Sequence, residues 1–171
     1  MTTPVGILSR ALTLEYLDAL NGRLADPNRL KAVWDAGFRA ESHINQLQAV
    51  ALSAAYLLGT GNAALILVAD IEAIVIVEEN FINDVAIPVE VTFCQHVTDG
   101  KPFGVNNALE DLLVCNMDLK EGRLAYLGVP VICRGQVVGS LCVSDTKPRN
   151  WTTTDVRTLV SLALTIQELL V

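Results

Sequence analysis

A chain of 171 residues, 51% of them hydrophobic and with a formal charge of −7, is long enough to bury a core without disulfide or metal staples. Its 12 lysines and arginines are spread thinly, so it has no cationic stripe to neutralise phosphates, and nucleic acid is not expected as a partner. The longest apolar run, Ala63 to Val77, is broken by Asp70 and Glu72 and is too short to span a bilayer. The N-terminus MTTPVGILSR lacks the basic start and long apolar segment of a signal peptide, so no membrane contact is expected and the expected location is cytoplasmic, with reduced thiols.

Thr3-Pro4 reads as an N-cap followed by proline at the first helical position, and Ile7, Ala11, Leu14, Leu17, Leu20 and Leu24 recur at helical spacing. Residues 1–25 are therefore expected to form one helix, serving a dimer or bundle, ahead of a main domain over residues 26–171. Asp26-Pro27 repeats the start signal. From there Leu30, Val33, Trp34, Ile44, Leu47, Val50, Ala51, Ala54, Leu57 and Leu58 continue an apolar stripe to Gly59, with Gly37 and Phe38 as the expected point of interruption. The same stripe accounts for Trp34. The alanine-rich part, Ala49 to Ala55, suits close packing on a sheet from one side and on a symmetry mate from the other.

Ala63–Val68 and Ala73–Val77 are short apolar runs joined by a short polar link, which predicts an antiparallel hairpin. Residues 78–91 show little periodicity and read either as a solvated loop or as a lid over a pocket. Thr92 is placed as the cap of a short helix, TFCQHV, ended by Asp99-Gly100 before a strand at Pro102–Val105. A second irregular region follows from Asn106 to Arg123, with Asn106 and Asn107 as turn formers.

Leu127 to Asp145 is the most informative stretch. Leu127, Val129, Val131 and Cys133 alternate up to Arg134-Gly135, and the chain returns with Val137, Leu141 and Val143 on one face and Ser140, Cys142 and Ser144 on the other. This predicts a hairpin with a greasy side for helices and a roomier reverse side that is the candidate ligand wall. Finally, Thr152 and Asp155 sit at capping-box spacing, Trp151 and Val156 at hydrophobic-staple spacing, and a long apolar helix follows.

The cysteines, Cys94, Cys115, Cys133 and Cys142, show no CxxC pair and no metal-ligand spacing. With the turn at Arg134-Gly135, Cys133 faces Gln136, and Cys142 lies roughly 20 Å further along at about 3.3 Å per residue. A disulfide needs Cα atoms within about 7 Å, so that pair cannot join and buried free thiols are expected.

Several blocks together carry a resemblance: Ile87-Pro88-Val89, Thr92 to Val97, Gly100-Lys101-Pro102, Gly128-Val129-Pro130-Val131, Gly135 with Val138 to Val143, and Trp151-Thr152. In order and spacing they resemble the GAF domain family over roughly residues 40 to 171. The resemblance implies an α+β fold. Its central antiparallel sheet has five or six strands, with N- and C-terminal helices packed on one face and a small-molecule pocket on the other. It also implies that residues 78 to 123 close the pocket and that terminal helices form a homodimer.

Three functions fit this outline, since a fold does not specify chemistry. The first is a sensory or regulatory module for signal transduction, acting through a protein partner or its own dimer; the chain stops at Val171, so no output is expected in cis. Its ligand contacts would be Phe93, Cys94, His96, Tyr126, Ser140, Cys142 and Ser144, with no cofactor. The second follows from the resemblance to free methionine-R-sulfoxide reductases, in which Cys115 matches the loop nucleophile and Cys94 the helix-head thiol. Against it, the substrate-holding carboxylates of those enzymes fall on Tyr126, Cys142 and Ser144. The third is a cofactor sensor, with haem on His96 or His43 or a bilin on Cys94, although a lone C-x-H pair completes no metal site.

Overall fold

The single helix expected over residues 1–25 is interrupted before Thr13, which opens a helix of its own. The structure is a computed structural model that describes residues 8, 10–78, 81–114 and 122–171, with residues 81–85 as backbone only. Thr13 Oγ1 accepts from the Tyr16 N–H at 3.0 Å, and helix α1 spans Leu14–Leu24. Residues 10–13 are not helical, and the Thr3-Pro4 start lies outside the described residues.

Asp26 caps α2, Pro27–Glu41, by accepting from the N–H groups of Asn28 and Arg29. The stripe breaks at Ser42-His43 before α3, Ile44–Leu58, and not at Gly37-Phe38 as expected. Gly37 lies inside the helix facing the sheet, where a Cβ placed on it would sit in ordinary contact, 3.7 Å from a Leu67 methyl. Gly59, with φ 64°, ends α3.

Six strands follow: β1 Asn62–Val68, β2 Glu72–Glu78, β3 Phe81–Pro88, β4 Phe103–Val105, β5 Ala125–Cys133 and β6 Gln136–Asp145. They form one sheet in the order β3-β2-β1-β6-β5-β4, every pair antiparallel. The expected hairpins are present, and Cys133 pairs with Gln136 across the turn. Arg134 (φ 53°) and Gly135 (φ 75°) both take left-handed backbone, as a tight two-residue hairpin requires. The loop expected at residues 78–91 is largely β3, an edge strand pairing Glu72↔Pro88 through Glu78↔Phe81. An edge position accommodates its Asn83, Asp84 and Pro88, which disguised it. Helix α4, Thr153–Leu169, opens with the capping box expected of Thr152 and Asp155.

The two faces of the sheet carry separate cores. Leu65, Leu67, Leu127, Val129, Leu141 and Val143 meet α2, α3 and α4 on one face. Ala64, Ile66, Val68, Val75, Tyr126 and Cys142 form the other with Cys94, Val97 and Phe103. Helices α2, α3 and α4 thus share one face, while α1 crosses to the reverse face, where Leu20 and Leu24 are buried.

A buried guanidinium locks α1 to the sheet. Arg29 donates to the carbonyls of Arg23 and Leu24, Val68 and Ala69, and Val137, at 2.6 to 3.2 Å. It binds the carbonyl end of α1, where a cation also complements the helix dipole, to the ends of β1 and β6. Burial lowers its pKa, against the pull of Asp26 and Asp70. Gly139 marks the closest approach within the sheet, since an added Cβ would collide with the Ile66 carbonyl.

Candidate functional site

The expected ligand wall, Ser140, Cys142 and Ser144 on β6, faces the reverse side and is roofed by a 3-10 segment, Phe93–Asp99. Thr92 does not cap this segment; its hydroxyl donates to the Val89 carbonyl at 2.8 Å. Gln95 holds the front instead, its Nε2 donating to the carbonyls of Thr92 at 2.9 Å and Glu90 at 3.2 Å. Gly100, with φ 84°, terminates the segment as expected.

Tyr126 occupies the centre. On β5 it pairs with Ser144, while Gly128, two residues on and on the same face, pairs with Cys142. The phenol lies over Gly128, where an added Cβ would strike both the Tyr126 hydroxyl and Ser140 Oγ. The hydroxyl donates to Cys94 Sγ at 3.2 Å and shares a hydrogen bond with Ser140 Oγ at 3.1 Å. Cys142 Sγ lies 3.6 Å from the Ala64 carbonyl, which competes with Cys94 for its single proton. The Phe93 ring closes on Tyr126 at 5.1 Å between centroids.

This arrangement splits the two thiols electrostatically. Hydrogen bonding from Cys142 is the main cause of a lowered Cys94 pKa; burial opposes it, and the Tyr126 and Ser140 hydroxyls reinforce it. The same contact, together with burial, pushes Cys142 well above the ordinary thiol range. Burial and the Cys94 charge push Tyr126 well up.

His96 turns away from the wall toward α1. Its Nδ1 shares a 2.7 Å hydrogen bond with the Tyr16 hydroxyl, and its ring lies 4.9 Å from Phe103. Burial, assisted by Arg10, lowers His96 to about 4, and burial raises Tyr16 to about 12. Beside them Arg10 grips Asp99 through Nε at 2.6 Å and Nη2 at 3.1 Å, binding the entering chain to the roof. Arg23 Nε donates to Thr98 Oγ1 at 3.4 Å.

The structure thus brings together Phe93, Cys94, Tyr126, Ser140 and Cys142, sets Ser144 beside them, and gives His96 to the contact with α1. His43 lies at the head of α3, outside this site, with its Nδ1 buried and without a hydrogen-bond partner among the described residues. Cys133, at the hairpin turn, belongs to the helix-side core. Cys115 lies outside the described residues. Among the described residues no group of three or more His, Cys, Asp or Glu is placed to hold a metal ion.

Sequence reading missed a polar rim at the end of the site. Asn62, opposite Ser144 in register, donates to Glu78 Oε1 at 3.0 Å, and Arg123 binds the same oxygen at 2.8 Å. Tyr16 was missed too: on a helix of moderate amphipathicity nothing marks one tyrosine for a histidine 80 positions away.

The hydrogen-bonded floor under a short-helix roof, on a six-stranded antiparallel sheet backed by helices, defines a sensor-type α+β domain. The GAF domain family matches residues 43–168, and the chain belongs to it. No curated protein matches the sequence. Among solved structures, the GAF domain of a phosphoenolpyruvate-protein phosphotransferase from Acinetobacter is 16% identical, with 93% of this chain and 94% of that chain covered and a TM-score of 0.65. A type II free methionine-R-sulfoxide reductase from Thermoplasma acidophilum is 14% identical, covering 77% and 94%, with a TM-score of 0.65. The PixJ GAF domain of Thermosynechococcus elongatus, in its blue-light-absorbing form, is 15% identical, covering 94% and 89%, with a TM-score of 0.60. Identities this low speak for the shared fold alone.

Proposed function

We propose that this GAF domain is a cytoplasmic regulatory module that binds a small molecule between the reverse face of β5–β6 and the Phe93–Asp99 roof, without transforming it. The observation that carries the reading is the floor itself. Gly128, Ser140, Cys142 and Ser144 form a strip of small residues in the interior, and one phenol lies across it. Swinging Tyr126 aside opens space and frees hydroxyls and a thiol to bind a polar, uncharged part of a ligand. Contacts would come from Phe93, Cys94, Tyr126, Ser140, Cys142 and Ser144, with His96 acting through α1.

Signal output is assigned to a homodimer. Leu52, Tyr56 and Leu57 on α3 and Val160 and Leu164 on α4 are exposed. They lie on two helices that pack on each other, so a second copy meeting that face would bury them.

Native mass spectrometry of gently purified protein tests the ligand. The expected result is a noncovalent small-molecule adduct, lost in Ser144→Leu at unchanged secondary structure. A wild-type protein and variant carrying the same adduct would remove the site, and visible absorbance would point to a haem or bilin instead.

A thiol-enzyme reading has one observation in its favour, the lowered Cys94 pKa beside the Tyr126 hydroxyl. Thioredoxin-coupled turnover of free methionine sulfoxide that disappears in both Cys94→Ser and Cys115→Ser would establish it in place of the binding module.

A further inference from the structure

The helical layer stops short of one edge of the sheet. β2 and β3 lie outboard of β1, and on the helix side Ile74 and Ile76 are only partly covered, while Ala86, the partner of Ile74 on β3, is exposed. A cleft of about 470 Å³ opens there, floored by Leu67, Ile74 and Ile76 and walled by α2. This lies on the opposite side of the sheet from the ligand face described above.

The wall is unusual for a helix expected to be buried along its stripe. Trp34 is 51% and Phe38 74% exposed, one helical turn apart. Glu41 continues the same line at i+7, also exposed, and lines the cleft. Glu72, two residues before Ile74 on the same side of β2, is exposed. Neither Glu41 nor Glu72 has an ion-pair partner among the described residues, whereas Asp35 on α2 binds both Lys31 and Arg134.

We propose that this cleft is a docking surface for an amphipathic, basic helix of a partner protein, which would complete the helical layer over β2. The shape fits, since an α-helix about 10–12 Å wide laid beside α2 would cover Ile74 and Ile76 and pack against Trp34 and Phe38. Aromatic anchors of this kind dominate helix-in-groove recognition. A small molecule filling the cleft would touch Phe38 too, but would leave Glu72, which lies outside the lining, without a counter-charge. A second copy joined by a twofold would bring Glu41 and Glu72 of each chain toward those of the other, in like-charge contact. The unpaired carboxylates on a chain of net charge −7 instead complement lysines or arginines flanking an apolar stripe. This surface is separate from the ligand site, so the failure of either leaves the other standing.

Fluorescence anisotropy with a labelled synthetic helix of roughly 18 residues, leucine along one face and lysine elsewhere, tests the surface on the full chain. Saturable binding is expected. Phe38→Asp should weaken it about tenfold even though it adds a negative charge, and Glu41→Gln should weaken it several-fold. Phe38 is so exposed that the variant should melt at the wild-type temperature. Equal binding to Phe38→Asp and wild type would reduce the effect to diffuse charge attraction and overturn the proposal. So would equal binding of a leucine/glutamate peptide, or a concentration-dependent dimer of the wild type that Phe38→Asp abolishes.

Discussion

Tyr126 carries the hydrogen bonds of the site floor. Its hydroxyl joins Ser140 at 3.1 Å and Cys94 at 3.2 Å in a region closed to water. Tyr126→Phe keeps the ring over Gly128 but leaves the Ser140 hydroxyl without its partner, so unfolding in urea should show a loss of roughly 1–2 kcal/mol. His96 gives the pH counterpart. It faces Tyr16, Arg10, Asp99 and Arg23, and burial depresses its pKa from 6.5 to about 4. Below pH 6.5 the unfolded chain takes up a proton that the folded chain refuses. Stability from this residue is therefore complete above 6.5 and falls away between 6.5 and about 4. At about 1.4 kcal/mol per pH unit the effect is roughly 3 kcal/mol in total. His96→Gln should flatten the stability curve over that window, leaving the carboxylate titration at its lower end.

Among the elements, α1 depends most on one side chain. Arg29 fills the junction of α1, β1 and β6 with backbone hydrogen bonds only. A lysine cannot reproduce that fork, so Arg29→Lys should cost roughly 3 kcal/mol or more, measured by thermal unfolding at pH 7. Local signals were enough where a motif and its partner lie within a few residues: the Arg134-Gly135 turn, the Thr152 capping box and the Asp26-Pro27 start each form as the sequence implies. β3 was hidden because an edge strand need not alternate, and the break at Ser42-His43 because no glycine or proline announces it. The break at residues 10–13 was hidden because no glycine or proline marks it and the apolar stripe runs through it.

For the whole molecule, the sheet and its two cores were legible because the β6 alternation assigns each residue a face, and Ser140 and Cys142 do lie on the reverse side from Leu141 and Val143. What that face holds was not legible, because Tyr126 fills it by lying back along its own strand, a rotamer that no spacing reveals. Nor does the sequence separate the apolar residues of α2 that are buried from Trp34 and Phe38, which are not. Assembly through the exposed faces of α3 and α4 carries its own expectation. Native mass measurement should give a dimer, and the double variant Leu52→Glu/Leu164→Glu a folded monomer; a wild-type monomer would remove that part of the account.

Thermal unfolding against a panel of small metabolites, with wild type and Ser144→Leu run side by side, tests ligand binding most directly. The expected result is a compound that raises the wild-type midpoint saturably and leaves the variant unmoved. If every stabilising compound acted equally on both proteins, binding between the β5–β6 face and its roof would be contradicted.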